Sequence, residues 1–304
     1  MSRDSILLLG CGFIGHALAR RLSAQGRRVH IISRTPARLI NDAGAMIHQG
    51  DLSDAALLNK LRPECATVIH LATVSTPGAS AGRPTLELEN LLPALRMLEA
   101  MHGWSDTHLI YLSSGGTVYG NPTRNPVTED APLAPLSYYG AGKVAMEGFM
   151  HALGTHGCQV TILRPANAYG PRQGLQQGFG LIRTVLQHIL QDTPLEIWGD
   201  GQNVRDFVYV DDVVDAIMLA VNAPADRGTY NVGSGQGHSI KDVLATAQRV
   251  SGKPLRVNFH PARSLDVRAV VLDNSRIASV LGWRPGVVLE EGIHRTWQWL
   301  QQEP

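Results

Sequence analysis

The sequence predicts an α/β fold with a doubly wound parallel sheet, followed by a smaller C-terminal α/β domain. In the N-terminal half, short apolar runs alternate with segments of helical periodicity, which is the pattern of βαβ units. These runs are apolar on both sides, as expected for parallel strands that are buried on both faces. After Arg164-Pro165 the alternation stops and glycine and glutamine accumulate between residues 172 and 180, which indicates a second domain.

Each predicted element of the N-terminal half follows from this alternation. Strands are expected where apolar runs are bounded by polar residues or glycine, at residues 5–9, 29–32, 67–71, 109–112 and 159–163. Helices are expected where apolar residues recur with helical spacing, up to Ala24 and over residues 54–61, 85–101 and 139–156. A third strand is expected just before Gly50.

The C-terminal part has shorter elements. We expect helices over 181–191, after His238 and up to Leu300, strands over 195–198, 206–210, 228–232 and 256–259, and a loop near 261–267. Residues 1–165, with about 205–232, are predicted to form the larger domain, and about 166–204 and 233–304 the smaller one. Because open α/β sheets bind ligands at the carboxyl ends of their strands, the smaller domain is expected to cover that edge.

The composition is that of an ordinary globular protein. Charged residues make up 17% and hydrophobic residues 44%, and the formal net charge is +1. This balance excludes a disordered chain and favours neither a nucleic-acid nor a membrane partner. The apolar run 6–9 is too short for a signal peptide or a membrane span, so we predict a cytoplasmic protein. The cysteines, Cys11, Cys65 and Cys158, lack metal-ligand spacing, and no metal site is expected.

A glycine-rich turn lies between the first strand and the first helix. The pattern GxGxxG is met by Gly10, Gly12 and Gly15, with Phe13 and Ile14 between the last two. Glycines here allow a tight turn and bring backbone N–H groups and a helix N-terminus close to a pyrophosphate. These five residues are therefore predicted to hold a dinucleotide, and the larger domain is predicted to be of the Rossmann type.

The ends of the second and third strands bear on which dinucleotide binds. An acidic residue after the second strand would bond the ribose of NAD, but here Ser33 and Arg34 follow, with Arg38 nearby. A guanidinium suits a 2′-phosphate, so NAD or NADP is predicted, with NADP slightly favoured. Asp51 and Leu52 are predicted to contact the adenine, although Asp51 could equally cap a helix.

Two strand ends and one helix are predicted to form the reactive end of the site. The small or apolar residues Leu71, Ala72, Thr73 and Ser113 can lie against a flat nicotinamide ring, and the hydroxyls of Ser114 and Thr117 can bond a sugar oxygen or a nearby tyrosine.

Tyr139 and Lys143 are four residues apart, so on a helix they lie on one face. A cation there lowers a phenol pKa from its usual value of about 10. We therefore predict that Tyr139 is a proton shuttle and that both residues also contact the cofactor.

Beyond these motifs, the chain resembles the extended short-chain dehydrogenase/reductases, in the NAD-dependent epimerase/dehydratase branch typified by UDP-glucose 4-epimerase. The resemblance covers nearly the whole chain. It rests on the glycine turn, on Val118-Tyr119-Gly120, on Tyr139 and Lys143, and on the segments 164–172, 199–201, 205–212, 231–233, 281–285 and 291–292.

The resemblance implies a function and a set of substrate contacts. Asn167 and Arg205 are expected to contact a nucleotide diphosphate, with Arg263 and Asp266 on phosphate and ribose and Thr117 on the sugar. The leading prediction is a nucleotide-sugar 4-epimerase acting on UDP-linked sugars, as a homodimer paired through helices 85–101 and 139–156. The alternative is an NADPH-dependent reductase of a 4-keto nucleotide sugar. A catalytically silent NAD(P) sensor is the third possibility.

The sequence departs from the family pattern in two places. Leu9 stands where the first glycine of the turn is usual, and Gly115 stands where the catalytic Ser or Thr is usual. Either Ser114 or Thr117 must then supply the hydroxyl, or Tyr139 acts without one. The loop also lacks the acid of the 4,6-dehydratases, so dehydration is not expected.

Overall fold

The structure is a computed structural model that describes residues 4–35, 44–175, 179–262 and 267–303. Its strands are β1 (Ser5–Leu9), β2 (Val29–Ser33), β3 (Met46–Gln49), β4 (Cys65–His70), β5 (His108–Leu112), β6 (Gln159–Pro165), β7 (Asn167–Tyr169), β8 (Leu195–Trp198), β9 (Val204–Tyr209), β10 (Thr229–Val232), β11 (Gly237–Ser239), β12 (Val257–His260) and β13 (Ala269–Val270). Its α-helices are α1 (Phe13–Ala24), α2 (Ala55–Leu61), α3 (Leu88–Ala100), α4 (Gly115–Val118), α5 (Tyr138–Thr155), α6 (Leu181–Gln191), α7 (Val210–Asn222), α8 (Ile240–Ser251), α9 (Ser275–Leu281) and α10 (Leu289–Gln302). A 3-10 helix, Pro84–Glu87, leads into α3.

The main sheet has seven parallel strands in the order β10-β6-β5-β4-β1-β2-β3. The chain winds outward from β1 in one direction through β2 and β3, and then in the other through β4, β5 and β6. This is the predicted doubly wound α/β fold. The strand order reverses between β1 and β4, which is where such sheets bind ligands.

Helices cover both faces of the main sheet, as buried apolar strands require. One buried cluster joins the sheet to α1, α7 and α9, and a second joins its other face to α2, α3 and α5. A third cluster packs α6, α8 and α10 with the smaller sheets. The strands β1, β2 and β5 are buried along almost their whole length, which explains their largely apolar sequence.

The smaller sheets lie in the C-terminal half. In one, β11, β9 and β13 are neighbours and β7 pairs with β9; in the other, β12 pairs with β8. Thus β9 belongs to a small sheet whereas β10 joins the main one, although the sequence analysis assigns residues 205–232 to the larger domain. The domain boundaries stay a prediction.

The strand β7 and the helix α7 are absent from the sequence prediction. The strand expected over 206–210 ends at Tyr209, and α7 begins at Val210. The valine-rich sequence favours a strand, but Val210, Val213 and Val214 recur with helical spacing and are all buried. Acidic residues in the first turn further stabilise the helix start.

No helix in the described part of the chain is both long and apolar enough to cross a membrane.

Candidate active site

One cleft of about 1250 Å³ lies at the carboxyl ends of the central strands. Every predicted site residue within the described ranges lines it: Gly10, Gly12, Phe13, Ile14, Gly15, Ser33, Arg34, Asp51, Leu52, Leu71, Ala72, Thr73, Ser113, Ser114, Thr117, Tyr139, Lys143, Asn167 and Arg205. Arg38, Arg263 and Asp266 lie outside the described residues. A cleft of this size has room for a dinucleotide beside a second ligand.

The glycine turn has the geometry of a pyrophosphate cradle. Gly10 has φ +86°, and a methyl group on it would lie 2.7 Å from the Cα of Ala72, so only glycine fits. At Gly12 the corresponding position has no atom within 4 Å. Gly12 is the N-cap residue of α1 and no side chain caps this helix, so the first N–H groups of the helix, at Phe13 and Ile14 in the cleft, are available to an anion. The residues present therefore fit a dinucleotide.

Ser33 and Asp51 line the cleft beside the ends of β2 and β3. Ser33 ends β2 and its Oγ accepts from the Thr35 N–H at 3.2 Å. The Asp51 carboxylate accepts from the N–H and the hydroxyl of Ser53, at 2.9 and 2.6 Å. Asp51 thus organises the turn before α2, while Asp54 caps that helix. The alternative that Asp51 caps a helix is therefore wrong, because Asp54 caps α2, and the predicted adenine contact of Asp51 stays a prediction.

Tyr139 and Lys143 lie on the first turns of α5, which Ser137 caps by accepting from the Gly140 N–H. The Lys143 ammonium is buried and donates to the Leu112 carbonyl at 2.9 Å. Its Nζ atom is 5.7 Å from the centre of the Tyr139 ring. The predicted pair is therefore held on one face of a helix, against the end of β5.

The predicted direction of the Tyr139 pKa is wrong. Burial raises the pKa of Tyr139 to about 12, and the hydrogen bond with Ser114 lowers it only in part. Burial also lowers the pKa of Lys143 to about 8. Burial makes the charged phenolate costly, and this cost decides the direction of the Tyr139 pKa.

Ser114 is the hydroxyl that bonds the Tyr139 side chain. Thr117, the other candidate, donates instead to the Ser114 carbonyl at 3.4 Å. Gly115 leaves no room for a side chain, because a methyl group there would lie 2.5 Å from a Leu272 methyl and 2.8 Å from the Arg164 carbonyl. Close packing of Leu272 explains why glycine occupies this position and why the hydroxyl comes from its neighbour.

Ser113 reaches into a buried network beneath the site. Its hydroxyl donates to the Glu147 carboxylate, which also accepts from the Arg164 guanidinium. The Arg164 guanidinium donates to the Tyr119 hydroxyl at 2.7 Å as well. Ser113 therefore lines the cleft, but its hydroxyl is committed to the protein interior.

Asn167 and Arg205 line the cleft on the side of the smaller sheets. The Asn167 amide donates to the Asp206 carbonyl at 2.8 Å and so ties β7 to β9. The Arg205 guanidinium donates to the Val204 carbonyl at 2.9 Å. Both residues line the cleft, and their contact with a substrate stays a prediction.

Several cleft residues lie outside the sequence prediction. Trp198 and Glu196 come from β8, whose strand is predicted, so position at a strand end was an available signal. Asn90 comes from α3, where the sequence shows only an amphipathic helix, whereas Glu87, just before α3, lines a separate small cavity. Within the described ranges, no group of three His, Cys, Asp or Glu residues has the arrangement of a metal site.

Comparison with known proteins identifies the family. The family model "NAD dependent epimerase/dehydratase family" matches residues 6–233. UDP-glucose 4-epimerase of Mycolicibacterium smegmatis is 36% identical over 94% of both chains. dTDP-4-dehydro-6-deoxyglucose reductase of Escherichia coli is 32% identical over 77% of this chain and 74% of its own.

Solved structures agree with the sequence comparison. UDP-glucose 4-epimerase of Thermus thermophilus, in complex with NAD, superimposes with a TM-score of 0.89 at 32% identity, covering 98% of this chain and 99% of that one. The likeness therefore extends over both the main sheet and the smaller ones. The chain belongs to the NAD-dependent epimerase/dehydratase family of extended short-chain dehydrogenase/reductases.

Proposed function

We propose that the protein is a nucleotide-sugar 4-epimerase of the UDP-glucose or UDP-N-acetylglucosamine type. The observation that carries this proposal is the Ser114–Tyr139–Lys143 arrangement at the end of β5, in one cleft with the glycine turn. A silent dinucleotide sensor would need the glycine turn but no such arrangement. Relatives that are named as UDP-glucose 4-epimerases over nearly the whole chain support the same conclusion.

When bound, a nicotinamide cofactor supplies reversible hydride transfer at C4 of the sugar. As a phenolate, the Tyr139 oxygen would take the proton of the sugar O4 hydroxyl while the hydride leaves C4, and would later return that proton. Ser114 directs the Tyr139 oxygen by its hydrogen bond. Burial lowers the pKa of Lys143 to about 8, so the ammonium beside Tyr139 loses its proton near that pH.

Asn167 and Arg205 are proposed to hold the diphosphate of the substrate, since a guanidinium and an amide suit its oxygens. Arg263 and Asp266 keep their expected roles on phosphate and ribose as part of the same proposal. The larger domain, residues 1–165 with about 205–232, would then bind the cofactor, and the rest of the chain would bind the nucleotide sugar.

The identity of the dinucleotide divides the two catalytic proposals. NAD is supported by the family and by its presence in the Thermus thermophilus structure. NADP is supported by Ser33 and Arg34, because the described residues at the end of β2 include a guanidinium and no carboxylate. NADPH use would favour the second candidate, a reductase of a 4-keto nucleotide sugar, which the likeness to the Escherichia coli reductase also supports.

A cytoplasmic homodimer in carbohydrate metabolism completes the proposal. The dimer is supported by exposed apolar side chains on the two helices predicted to pair. These are Leu88 and Leu92 on α3 and Tyr138 and Phe149 on α5. A mass of one chain by light scattering would contradict the dimer.

The test of the function begins with the purified protein, denatured so that mass spectrometry identifies any dinucleotide it carries. In parallel, intact protein is incubated with UDP-glucose and with UDP-N-acetylglucosamine without added cofactor. Retained NAD or NADP together with a C4 epimer supports the epimerase. An empty site, no epimer, and oxidation of added NADPH only with a 4-keto nucleotide sugar would establish the reductase instead.

The Ser114→Ala variant is expected to lower kcat by about 10- to 100-fold, at the low end of the usual contribution of general acid–base groups. The phenol loses the hydrogen bond that lowers its pKa and directs it. Thr117→Val is the matched control, because its hydroxyl contacts only the Ser114 carbonyl in the described structure, and its kcat should fall less. A larger loss in Thr117→Val than in Ser114→Ala would assign the hydroxyl to Thr117.

A further inference from the structure

Glu87 is a buried carboxylate directly behind the Tyr139–Lys143 pair. It ends the 3-10 helix before α3, and only 6% of its surface is exposed. Its Oε2 atom accepts from the Ser75 hydroxyl and from the Asn90 amide, each at 3.0 Å. Its Oε1 atom has no hydrogen-bond partner among the described residues. A carboxylate held only by neutral donors keeps its charge uncompensated, which is costly unless a cation lies close.

A small cavity joins Glu87 to the pair. Its volume is about 10 Å³, the space of about one water, and Glu87, His70, Tyr111, Tyr139 and Lys143 are among its lining residues. Both ring nitrogens of His70 are buried and also lack a partner within the described structure. The cavity thus gathers polar atoms from several elements around the underside of Lys143.

Gly142 makes room for the carboxylate. A methyl group on Gly142 would lie 2.9 Å from Glu87 Oε2, so a larger residue would push the carboxylate away from α5. Glycine inside a helix costs about 1 kcal/mol relative to alanine. Gly142, immediately before Lys143, therefore lowers the stability of α5 but leaves the space in which the Glu87 carboxylate lies close to this helix.

We propose that Glu87 is a positioning residue that acts through Lys143: its buried carboxylate holds the ammonium in place and keeps it protonated. The consequence for turnover rests on the proposed function, since a charged Lys143 would stabilise the phenolate form of Tyr139 that accepts the sugar proton. The electrostatic part of the proposal does not depend on which reaction the site performs.

The direction of the effect follows from the charges around Lys143. The Glu87 charge raises the pKa of Lys143 against the lowering by burial, and it also raises the pKa of Tyr139. A neutral residue at position 87 should therefore lower the proton affinity of both groups. The pair would then lose its first proton at a lower pH.

The other titratable groups near Lys143 do not replace Glu87. Glu147, on α5 itself, also raises the pKa of Lys143, but its carboxylate lies 2.6 Å from the Arg164 guanidinium of β6, which offsets its charge. Burial lowers the pKa of His70 on β4 to about 3, so that ring is neutral. Burial raises the pKa of Tyr111 on β5, so that phenol is neutral too. Among these groups, Glu87 supplies the uncompensated negative charge.

The test reads the Lys143 ammonium directly. The chain has four lysines, Lys60, Lys143, Lys241 and Lys253, so 13C labelling of the lysine ε-carbons gives few NMR signals. Lys143→Met identifies the signal of interest in the full-length protein. The wild-type signal should titrate near pH 8, and Glu87→Gln should move the midpoint down by about one pH unit or more, as expected for loss of a nearby opposite charge.

Three further variants separate charge from shape. Glu87→Asp keeps the charge and should retain most of the wild-type midpoint. Glu87→Met fills the space without charge and should repeat the Glu87→Gln result, including where Gln at this position prevents folding. Glu99 is an exposed carboxylate on α3, the helix that follows Glu87, and Glu99→Gln should leave the midpoint unchanged.

The proposal is overturned by a Lys143 midpoint that stays within about 0.3 pH units of wild type in folded Glu87→Gln or Glu87→Met. A shift of equal size in Glu87→Asp would also overturn it, because packing rather than charge would then be responsible. The Lys143 titration needs neither substrate nor turnover. A protein that shows no epimerase activity would contradict the proposed function and leave this titration fully informative.

Discussion

The Tyr139→Phe variant is expected to lose turnover by about 10²–10⁴-fold while it keeps its dinucleotide. The variant removes one oxygen, the atom that exchanges a proton with the sugar and bonds Ser114. The ring and the packing of α5 remain, and the glycine turn lies on other elements. The measurement is kcat with the nucleotide sugar that the wild type converts, together with the dinucleotide content by mass spectrometry.

Tyr138→Phe is the matched control for this loss. Tyr138 is the neighbouring tyrosine on the same helix, and 48% of its surface is exposed. Tyr138 is not among the described residues that line the cleft, so its hydroxyl can be removed without touching the reacting atoms. Turnover of Tyr139→Phe within about tenfold of the Tyr138→Phe value would refute the assignment of the proton shuttle.

The main sheet could be predicted from the sequence because strands buried on both faces appear as short runs of apolar residues. In β1, four apolar residues follow Ser5 and all five positions are buried, and the glycine turn comes directly after the strand. The sequence of α7 is more ambiguous, since its valines suit a strand as well as a helix. Packing of Val213 and Val214 against the main sheet decides between the two, and that packing depends on distant parts of the chain.

In the candidate site, too, features set by nearby residues could be predicted from the sequence, whereas features set by distant parts of the chain could not. Tyr139 and Lys143 are predictable because their spacing on one helix already places them together. The choice of Ser114 over Thr117 depends on Leu272, which fills the space beside Gly115 from the other end of the chain. The pKa of Tyr139 was predicted in the wrong direction because a residue pattern reveals a neighbouring cation but not the depth of burial.

Behind the site, Glu147 and Arg164 form a buried ion pair that also holds the cleft residue Ser113. Their side chains are 2% and 5% exposed, and Nη2 of the arginine lies 2.6 Å from Oε2 of the glutamate. The arginine Nε atom donates to both carboxylate oxygens, at 3.0 and 3.2 Å. Ser113 donates to the same carboxylate, so the pair also anchors the loop after β5.

Glu147→Gln is expected to lower the free energy of unfolding by about 3–5 kcal/mol, because the Arg164 charge then stays buried without a carboxylate. The measurement is equilibrium unfolding in urea with an unchanged m-value. Glu291→Gln is the matched control: Glu291 pairs with Arg295 at 2.8 Å, but their side chains are 49% and 43% exposed. Its loss should stay below about 1 kcal/mol.

The double variant Glu147→Leu with Arg164→Met tests whether the ion pair itself stabilises the fold or whether each charge is needed only because the other is buried. It removes both charges and fills the space with apolar side chains, so no buried charge is left alone. We expect it to be more stable than Glu147→Gln, because desolvation of two ions offsets much of their attraction in a buried pair. A double variant less stable than Glu147→Gln would mean that the hydrogen bonds to Ser113 and Tyr119 contribute more to folding than the burial of the two charges costs.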